Sequence, residues 1–231
     1  MPTWGSDVPE RIGLLVPHTN TVMEPDLTRA LAGSASLHVA RMLLSDITLG
    51  AERQMVGGAR AAAEALAGAR PQVAVFGCTS AAAVLGSTGE KQVLAQLSSV
   101  AGCPVLSVNA CIGGSAAIRD AEEIALLTPY REEVTRAVAT RLEEEGLRVV
   151  RTRSLGLIDN HAVADLPLRQ IAHEITAMRR ERCDAVVVSC TNLRAVEAAE
   201  LADTHGGPPI VTSNSAVIEH LRESLREPSP R

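Results

Sequence analysis

Val75-Phe76-Gly77-Cys78-Thr79-Ser80 and Val187-Val188-Ser189-Cys190-Thr191-Asn192 follow one pattern. Each is an apolar run ending in a small residue, then Cys-Thr, then a polar residue, then a stretch rich in alanine or leucine. The cysteines lie 112 residues apart (190 − 78). The same offset separates Ile12-Gly13-Leu14-Leu15-Val16-Pro17 from Ile124-Ala125-Leu126-Leu127-Thr128-Pro129 (124 − 12). Pro104-Val105-Leu106-Ser107-Val108-Asn109 is echoed by Pro209-Ile210-Val211-Thr212-Ser213-Asn214 at a slightly shorter offset. The chain reads as two copies of one unit with a cysteine at the same place in each, and these cysteines are expected to face one another across one site.

Around these stretches, short apolar runs alternate with helical ones. Strands are expected over Arg11–Val16, Leu37–Leu43, Gln72–Phe76 and Pro104–Val108, and again over Glu123–Leu127, Leu147–Arg153, Ala185–Val188 and Pro209–Thr212. Helices are expected over Glu24–Ala32 and Ala51–Ala69, directly after Cys78, and over Glu90–Val100 and Ala110–Ala121. In the second half they fall at Tyr130–Glu145, Leu166–Glu181, Arg194–Asp203 and Asn214–Leu225. Leu155–His161 reads as a loop and Gly86-Ser87-Thr88-Gly89 as a turn.

Such alternation means parallel sheets covered on both faces. The expected fold class is therefore α/β, with two pseudo-symmetric lobes, each a parallel sheet flanked by helices, and the active site in the cleft between them. The expected division is a tail at 1–10, a first lobe at 11–121, a second at 122–226 whose last helix is free to pack on the first, and a tail at 227–231. Ligands of such sheets bind beyond the carboxyl ends of the strands. Asn20, Cys78, Tyr130, Asn160 and Cys190 all fall just past expected strand ends.

Composition narrows the function. The 231 residues are 46% hydrophobic, enough for a sizeable core, yet Trp4, Phe76 and Tyr130 are the only aromatics, so that core must be Ala, Val, Leu and Ile. A net charge of −5, no basic block and almost no rings for base stacking argue against nucleic acid. No apolar run reaches the roughly 18 residues of a membrane span, and the polar N-terminus lacks an apolar signal core. A soluble cytoplasmic protein is expected. Five cysteines in a reducing compartment imply no structural disulfide. There is neither Cys-x-x-Cys nor a paired His motif, so no metal is expected, and there is no Gly-x-Gly-x-x-Gly nucleotide loop.

A cysteine between a strand and a helix sits near unpaired N–H groups and the positive end of the helix dipole. Both favour thiolate, so the pKa of Cys78 and Cys190 is expected below the free value of about 8.5. One buried cysteine in such a place can be inert packing; two at matched positions of a repeat point to function. Cys103 and Cys183 adjoin strand starts and read as packing residues, whereas Cys111 ends up on the site's side of a strand. Thr79, Ser80, Thr191 and Asn192 can cap helices or hold a carboxylate on their backbone N–H groups. His18 and His161 flank the cleft as weaker candidates.

The chain resembles the maleate cis–trans isomerases of the aspartate/glutamate racemase superfamily from about Arg11 to Leu225. The resemblance rests on Val16-Pro17 followed by Asn20 and Glu24, on Cys78-Thr79-Ser80, Thr128-Pro129-Tyr130 and Asp159-Asn160, and on Ser189-Cys190-Thr191-Asn192-Leu193-Arg194. It implies two similar α/β lobes, no cofactor and a homodimer acting on a small dicarboxylate. It further implies that Asn20, Tyr130 and Asn160 hold the substrate carboxylates, that Cys78 is the nucleophile and that Cys190 is the proton donor and acceptor. His18-Thr19 stands where the family usually has Ser-Ser, and Ala81 where a glycine often follows. Arylmalonate decarboxylases of the same superfamily keep only the second cysteine, so Cys78 argues against that activity.

The expected reaction is addition of the Cys78 thiolate to one alkene carbon of maleate or a related cis-diacid, protonation of the other by Cys190, rotation, and elimination of the trans acid. Gly77 is expected to let a ligand approach the backbone beside Cys78, and the Ser189 hydroxyl to hydrogen-bond nearby. Two alternatives remain: a two-cysteine amino-acid or hydantoin racemase, and a non-catalytic module that binds a carboxylate.

Overall fold

The computed structural model describes residues 10–115, 120–202 and 207–226. The first half runs β1 (Glu10–Pro17), α1 (Met23–Ala30), β2 (Ala35–Met42), α2 (Leu49–Ala67), β3 (Val73–Phe76), α3 (Thr79–Ala101), β4 (Val105–Ser107) and α4 (Val108–Gly114). The second runs β5 (Glu123–Tyr130), α5 (Glu132–Glu143), β6 (Arg148–Leu157), α6 (Asn160–Ala164), α7 (Leu168–Met178), β7 (Ala185–Val188), α8 (Ala195–Ala202), β8 (Ile210–Thr212) and α9 (Ser213–Arg226).

Two four-stranded sheets form, ordered β2-β1-β3-β4 and β6-β5-β7-β8, with every strand pair parallel. The identical order is the structural counterpart of the sequence repeat. Central strands are buried on both faces, which is why Ile12 to Val16, Ile124 to Leu127 and Ala185 to Val188 are continuous apolar runs rather than alternating ones. In each sheet the direction of winding reverses between the first and third strands. The crevice that such a reversal opens lies beyond β1 and β3 in one lobe, and beyond β5 and β7 in the other.

The lobes share a core. Ile12, Leu14, Met23 and Leu27 of the first half cluster with Leu126, Val187, Val217 and Leu221 of the second. A separate cluster under the first sheet packs Leu15 and Phe76 against Met55, Ala59 and Leu66 of α2 and Ala81 and Ala82 of α3. A buried ion pair also bridges the halves. Arg141 of α5 donates through Nε to Glu90 Oε2 of α3 at 2.6 Å and meets Glu145 Oε1 at 2.5 Å, with Arg141 2% and Glu90 1% exposed. The last helix crosses back onto the first half: Ser115 Oγ donates to Glu219 Oε2 at 2.6 Å and Arg222 to the Ala30 carbonyl at 2.8 Å.

Several boundaries differ from those expected. Tyr130 does not open a helix but closes β5, because β5 stays paired with β6 as far as Tyr130 opposite Leu157. That pairing also turns the first three residues of the expected 155–161 loop into the end of β6, and α6 takes the last two. The expected turn at Gly86-Ser87-Thr88-Gly89 narrows to one residue: two helical segments of α3 meet at a kink at Gly86, whose φ of 65° and ψ of 170° suit glycine. Ser87 N–H, freed by the kink, donates to Glu144 Oε2 at 2.8 Å. Helix α4 starts at Val108 and ends at Gly114, so Asn109 and Cys111 are helical. Ser115, Asp120 and Ala121 are not helical, so the expected 110–121 helix ends early, at Gly114. Glu10 belongs to β1; the rest of the expected N-terminal tail, residues 116–119, the last residue of the expected 194–203 helix and the 227–231 tail lie outside the described residues.

Candidate active site

Cys78 occupies the N-cap position of α3, and Cys190 follows β7. Both side chains are 4% exposed. The two settings are less alike than the repeat suggests, since a turn over Thr191–Arg194 separates Cys190 from α8. The backbone N–H groups of Asn192 and Leu193 in that turn point at the Cys190 sulfur, and that of Ala81 at Cys78.

Tyr130 adjoins Cys190 and lies close enough to Cys78 to feel it as well. Its hydroxyl donates toward the Cys190 sulfur, and its phenol feels the charge of both cysteines. Burial and those neighbours push the Tyr130 pKa well up, so the ring is a neutral donor. Cys190 is pushed up to about 11 by burial, against the pull of the Tyr130 hydroxyl and the Asn192 N–H, which favour thiolate. The arrangement holds a proton on Cys190 until there is somewhere to send it.

Cys78 has a different partner. Its Sγ donates to Glu52 Oε2 at 3.5 Å and lies 3.5 Å from Ser80 Oγ, and Ser80 Oγ donates to Glu52 Oε1 at 2.5 Å. Glu52 is fully buried. Burial raises its pKa to about 7, although the Ser80 and Cys78 hydrogen bonds pull it down. Burial and then the Glu52 charge hold Cys78 well above an ordinary thiol. The expectation of a lowered pKa is therefore wrong for both Cys78 and Cys190: nearby N–H groups and a helix N-terminus favour thiolate, and here complete burial, beside a carboxylate for Cys78, outweighs them.

The remaining expected residues form the frame. Asn20 Oδ1 accepts the N–H groups of Val22 and Met23, both at 3.0 Å, which starts α1, and Asn20 Nδ2 donates to Thr191 Oγ1 at 3.0 Å. Thr191 Oγ1 donates onward to the Gly77 carbonyl at 3.0 Å. Asn192 accepts from Thr21 N–H at 2.9 Å and donates to the Asn160 carbonyl at 2.8 Å. Thr79 Oγ1 meets Ser213 Oγ at 3.2 Å. The side chains of Thr79, Thr191 and Asn192 thus tie the lobes together around the thiols. Asn160, capped by Asp159, opens α6 and is buried at the rim. The repeat shows again one layer out: Asn109 Nδ2 supports the Thr79 carbonyl at 3.3 Å, and Asn214 Nδ2 the Thr191 carbonyl at 3.2 Å. The first lobe's 43–48 loop meets the segment just after β6 through Ile47 N–H to the Ile158 carbonyl at 3.0 Å. Outside it, a cavity of about 620 Å³ is lined by His18, Met42, Leu44, Ala51 and Gln54 among others, and by neither cysteine. No group of three or more His, Cys, Asp or Glu among the described residues is placed to hold a metal ion.

The family model described as arylmalonate decarboxylase matches residues 12–226. The chain belongs to that family. Among curated relatives, a maleate isomerase of Nocardia farcinica is 27% identical, over 94% of this chain and 91% of its own length. Another, of Pseudomonas putida, is 25% identical over 93% and 91%. A solved structure of the Nocardia farcinica maleate cis–trans isomerase, a Cys-to-Ser mutant with a covalently bound succinylcysteine intermediate, superimposes with a TM-score of 0.86 at 25% identity, covering 96% of this chain and 94% of that one. Unliganded arylmalonate decarboxylase superimposes with a TM-score of 0.79 at 20% identity, covering 95% and 94%, a likeness of fold alone.

Within this arylmalonate decarboxylase family member, three finer readings of the sequence need correction. Gly77 does not open the backbone to a ligand: a Cβ there would lie 2.8 Å from Met23 Sδ and 2.9 Å from Leu14 Cδ1, so its smallness serves packing. Neither Thr79 nor Ser80 caps α3; their hydroxyls go to Ser213 and Glu52. The Ser189 hydroxyl finds no hydrogen-bond partner among the described residues. Glu52 was not foreseen. Its trace in the sequence is an acid in the first turn of α2 on the same stripe as Met55, Ala59 and Leu66, the face that becomes buried.

Proposed function

We propose that this chain is a cis–trans isomerase that converts maleate, or a related small cis-unsaturated dicarboxylate, to the trans acid through a covalent adduct on Cys78. One observation carries the reading: two buried thiols at matching places in the two lobes, with the Tyr130 hydroxyl donating toward Cys190 and its phenol feeling both. Maleate isomerases among the relatives, one with a succinylcysteine intermediate, support it. The first-lobe thiol, Cys78, separates the reading from decarboxylation by the second cysteine alone.

In this scheme Cys78 Sγ bonds to one alkene carbon and the π pair moves toward the other, spreading onto its carboxylate. Cys190 delivers its proton to that second carbon. The resulting Cys190 thiolate is held by the Tyr130 hydroxyl and the N–H groups of Asn192 and Leu193. The former double bond, now single, rotates. Cys190 then takes the proton back as the C–S bond breaks. Asn20, Tyr130 and Asn160, with the backbone N–H groups of Thr79, Ser80 and Thr191 and the Asn192 side chain, are the proposed grips for the two carboxylates.

Maleate is incubated with the protein and fumarate followed by NMR. Turnover is expected in wild type. Cys78→Ser is expected to lose turnover and adduct together, since a hydroxyl is a far weaker nucleophile; Cys190→Ser loses turnover but still accumulates a succinyl mass on Cys78. Absence of turnover with maleate and substituted maleates, or an adduct on Cys190 alone, overturns the scheme.

A further inference from the structure

The scheme leaves one proton without a destination. A thiol buried beside a carboxylate is not a resting thiolate, so the proton on Cys78 must leave as sulfur bonds to carbon. We propose that Glu52 is the catalytic base that receives it. The geometry is direct: Glu52 Oε2 is the acceptor of the Cys78 Sγ hydrogen bond at 3.5 Å, and Glu52 Oε1 is fixed by Ser80 at 2.5 Å, so the carboxylate has one oxygen anchored and the other aimed at the reacting atom. It is carried by a rigid element. Thr48 caps α2 by accepting the Ala51 N–H at 3.3 Å, and Glu52 follows in the first turn.

A carboxylate on this apolar stripe needs a reason, because burying a charge without a cationic partner is costly. No basic group is among the charges that act on it: Asp46 from the loop before α2 and Cys78 adjoin it, and it in turn bears on Tyr130 and Cys190 across the site. All are acids. Placed there, Glu52 stays ready to gain a proton, which suits a base working near neutrality. The step balances: the Cys78 S–H bond breaks as the S–C bond forms, its proton passes to Glu52, the π pair becomes the new carbanion, and Cys190 protonates that carbon. On elimination Glu52 returns its proton to the departing Cys78 sulfur and Cys190 recovers its own.

This assignment rests on the isomerase reading, yet it is tested without maleate. The rate at which iodoacetamide alkylates Cys78, read by peptide mapping across the neutral range, is expected to rise with pH along a limb centred near 7 in wild type. Glu52→Gln keeps the size and the acceptor oxygen but not the basicity; the limb is expected to vanish and the rate at neutral pH to fall by about 10²-fold or more. Glu52→Asp, whose carboxylate is drawn back from sulfur, is expected to lie between the two with the limb retained. If Glu52 were only a repelling neighbour, both variants would alkylate faster than wild type; that result, or an unchanged limb in Glu52→Gln, overturns the proposal. Should the Gln variant not fold, the Asp variant decides by itself: slower alkylation than wild type supports the base, faster alkylation overturns it. A Glu52-dependent limb in a protein without maleate turnover sinks the isomerase reading alone. Maleate turnover with a limb indifferent to Glu52 sinks this one alone.

Discussion

Glu52 costs the protein stability, and the cost has a sign that can be measured. Its folded pKa of about 7 stands above the ordinary 4.5 because burial penalises the charge. The folded state therefore holds this proton more tightly than the unfolded chain does. The stabilisation is complete below pH 4.5 and is lost as pH rises through about 7. A shift of that size corresponds to roughly 3 kcal/mol. Urea unfolding at a series of pH values is expected to show wild type weakening across this window and Glu52→Gln holding level, so that above it the variant is the more stable of the two by up to that amount. A slope in wild type no steeper than in Glu52→Gln would mean the carboxylate is solvated and not enclosed. A residue whose replacement stabilises the fold while slowing the chemistry is retained for the chemistry.

At the scale of elements, the turn from β3 into α3 depends on what cannot fit there. Gly77 N–H donates to the Leu15 carbonyl at 2.7 Å and its own carbonyl accepts from Thr191, so this residue is pinned on both sides. A Cβ would press on Met23 Sδ at 2.8 Å, Leu14 Cδ1 at 2.9 Å and the Leu15 carbonyl at 3.1 Å. Gly77→Ala is expected to cost about 1–3 kcal/mol in urea unfolding and to lower turnover by moving Cys78, the next residue; a neutral effect on both would show that Met23 simply swings aside. This turn also shows how far the sequence could be read. The repeat of Cys-Thr after an apolar run told of two like lobes, and strand ends told that Asn20, Tyr130 and both cysteines lie at one edge of the sheets. The strands and most helices followed from periodicity because buried parallel strands and alanine-rich helices leave unmixed local patterns. What local pattern does not carry is distance across the chain. Glu52 lies 26 residues from Cys78 and looked like one more helix-start acid. Thr191 looked like a cap or a carboxylate grip because its partners, Asn20 and Gly77, are 171 and 114 residues away. Tyr130 looked like a helix start because its strand pairing is decided on β6.

At the scale of the whole molecule, the halves are joined by apolar packing and by the Glu90–Arg141–Glu145 cluster, where Ser107 also donates to Glu90. Removing one member leaves a charge buried without its partner, so Arg141→Ala is expected to destabilise by about 3–5 kcal/mol in urea unfolding. Glu90→Leu with Arg141→Met removes both charges and is expected to recover most of that loss. A small effect of Arg141→Ala would place the cluster in solvent contact and leave the shared apolar core to join the lobes unaided.

That shared core also sets an order of events during synthesis. Ile12, Leu14, Val16, Met23 and Leu27 emerge from the ribosome early, and second-lobe side chains that pack with them, among them Leu126, Val187, Val217 and Leu221, come about a hundred residues later or more. Until then the nascent first half can pair its four strands, pack one face against α2 and part of the other against its own α1 and α4, but the second-lobe side chains that complete this core are missing. The half-made protein is thus a sticky intermediate for as long as translation takes to reach α9, an interval in which a chaperone has work to do and a neighbouring copy further along in synthesis, offering the same second-lobe side chains, is the nearest wrong partner.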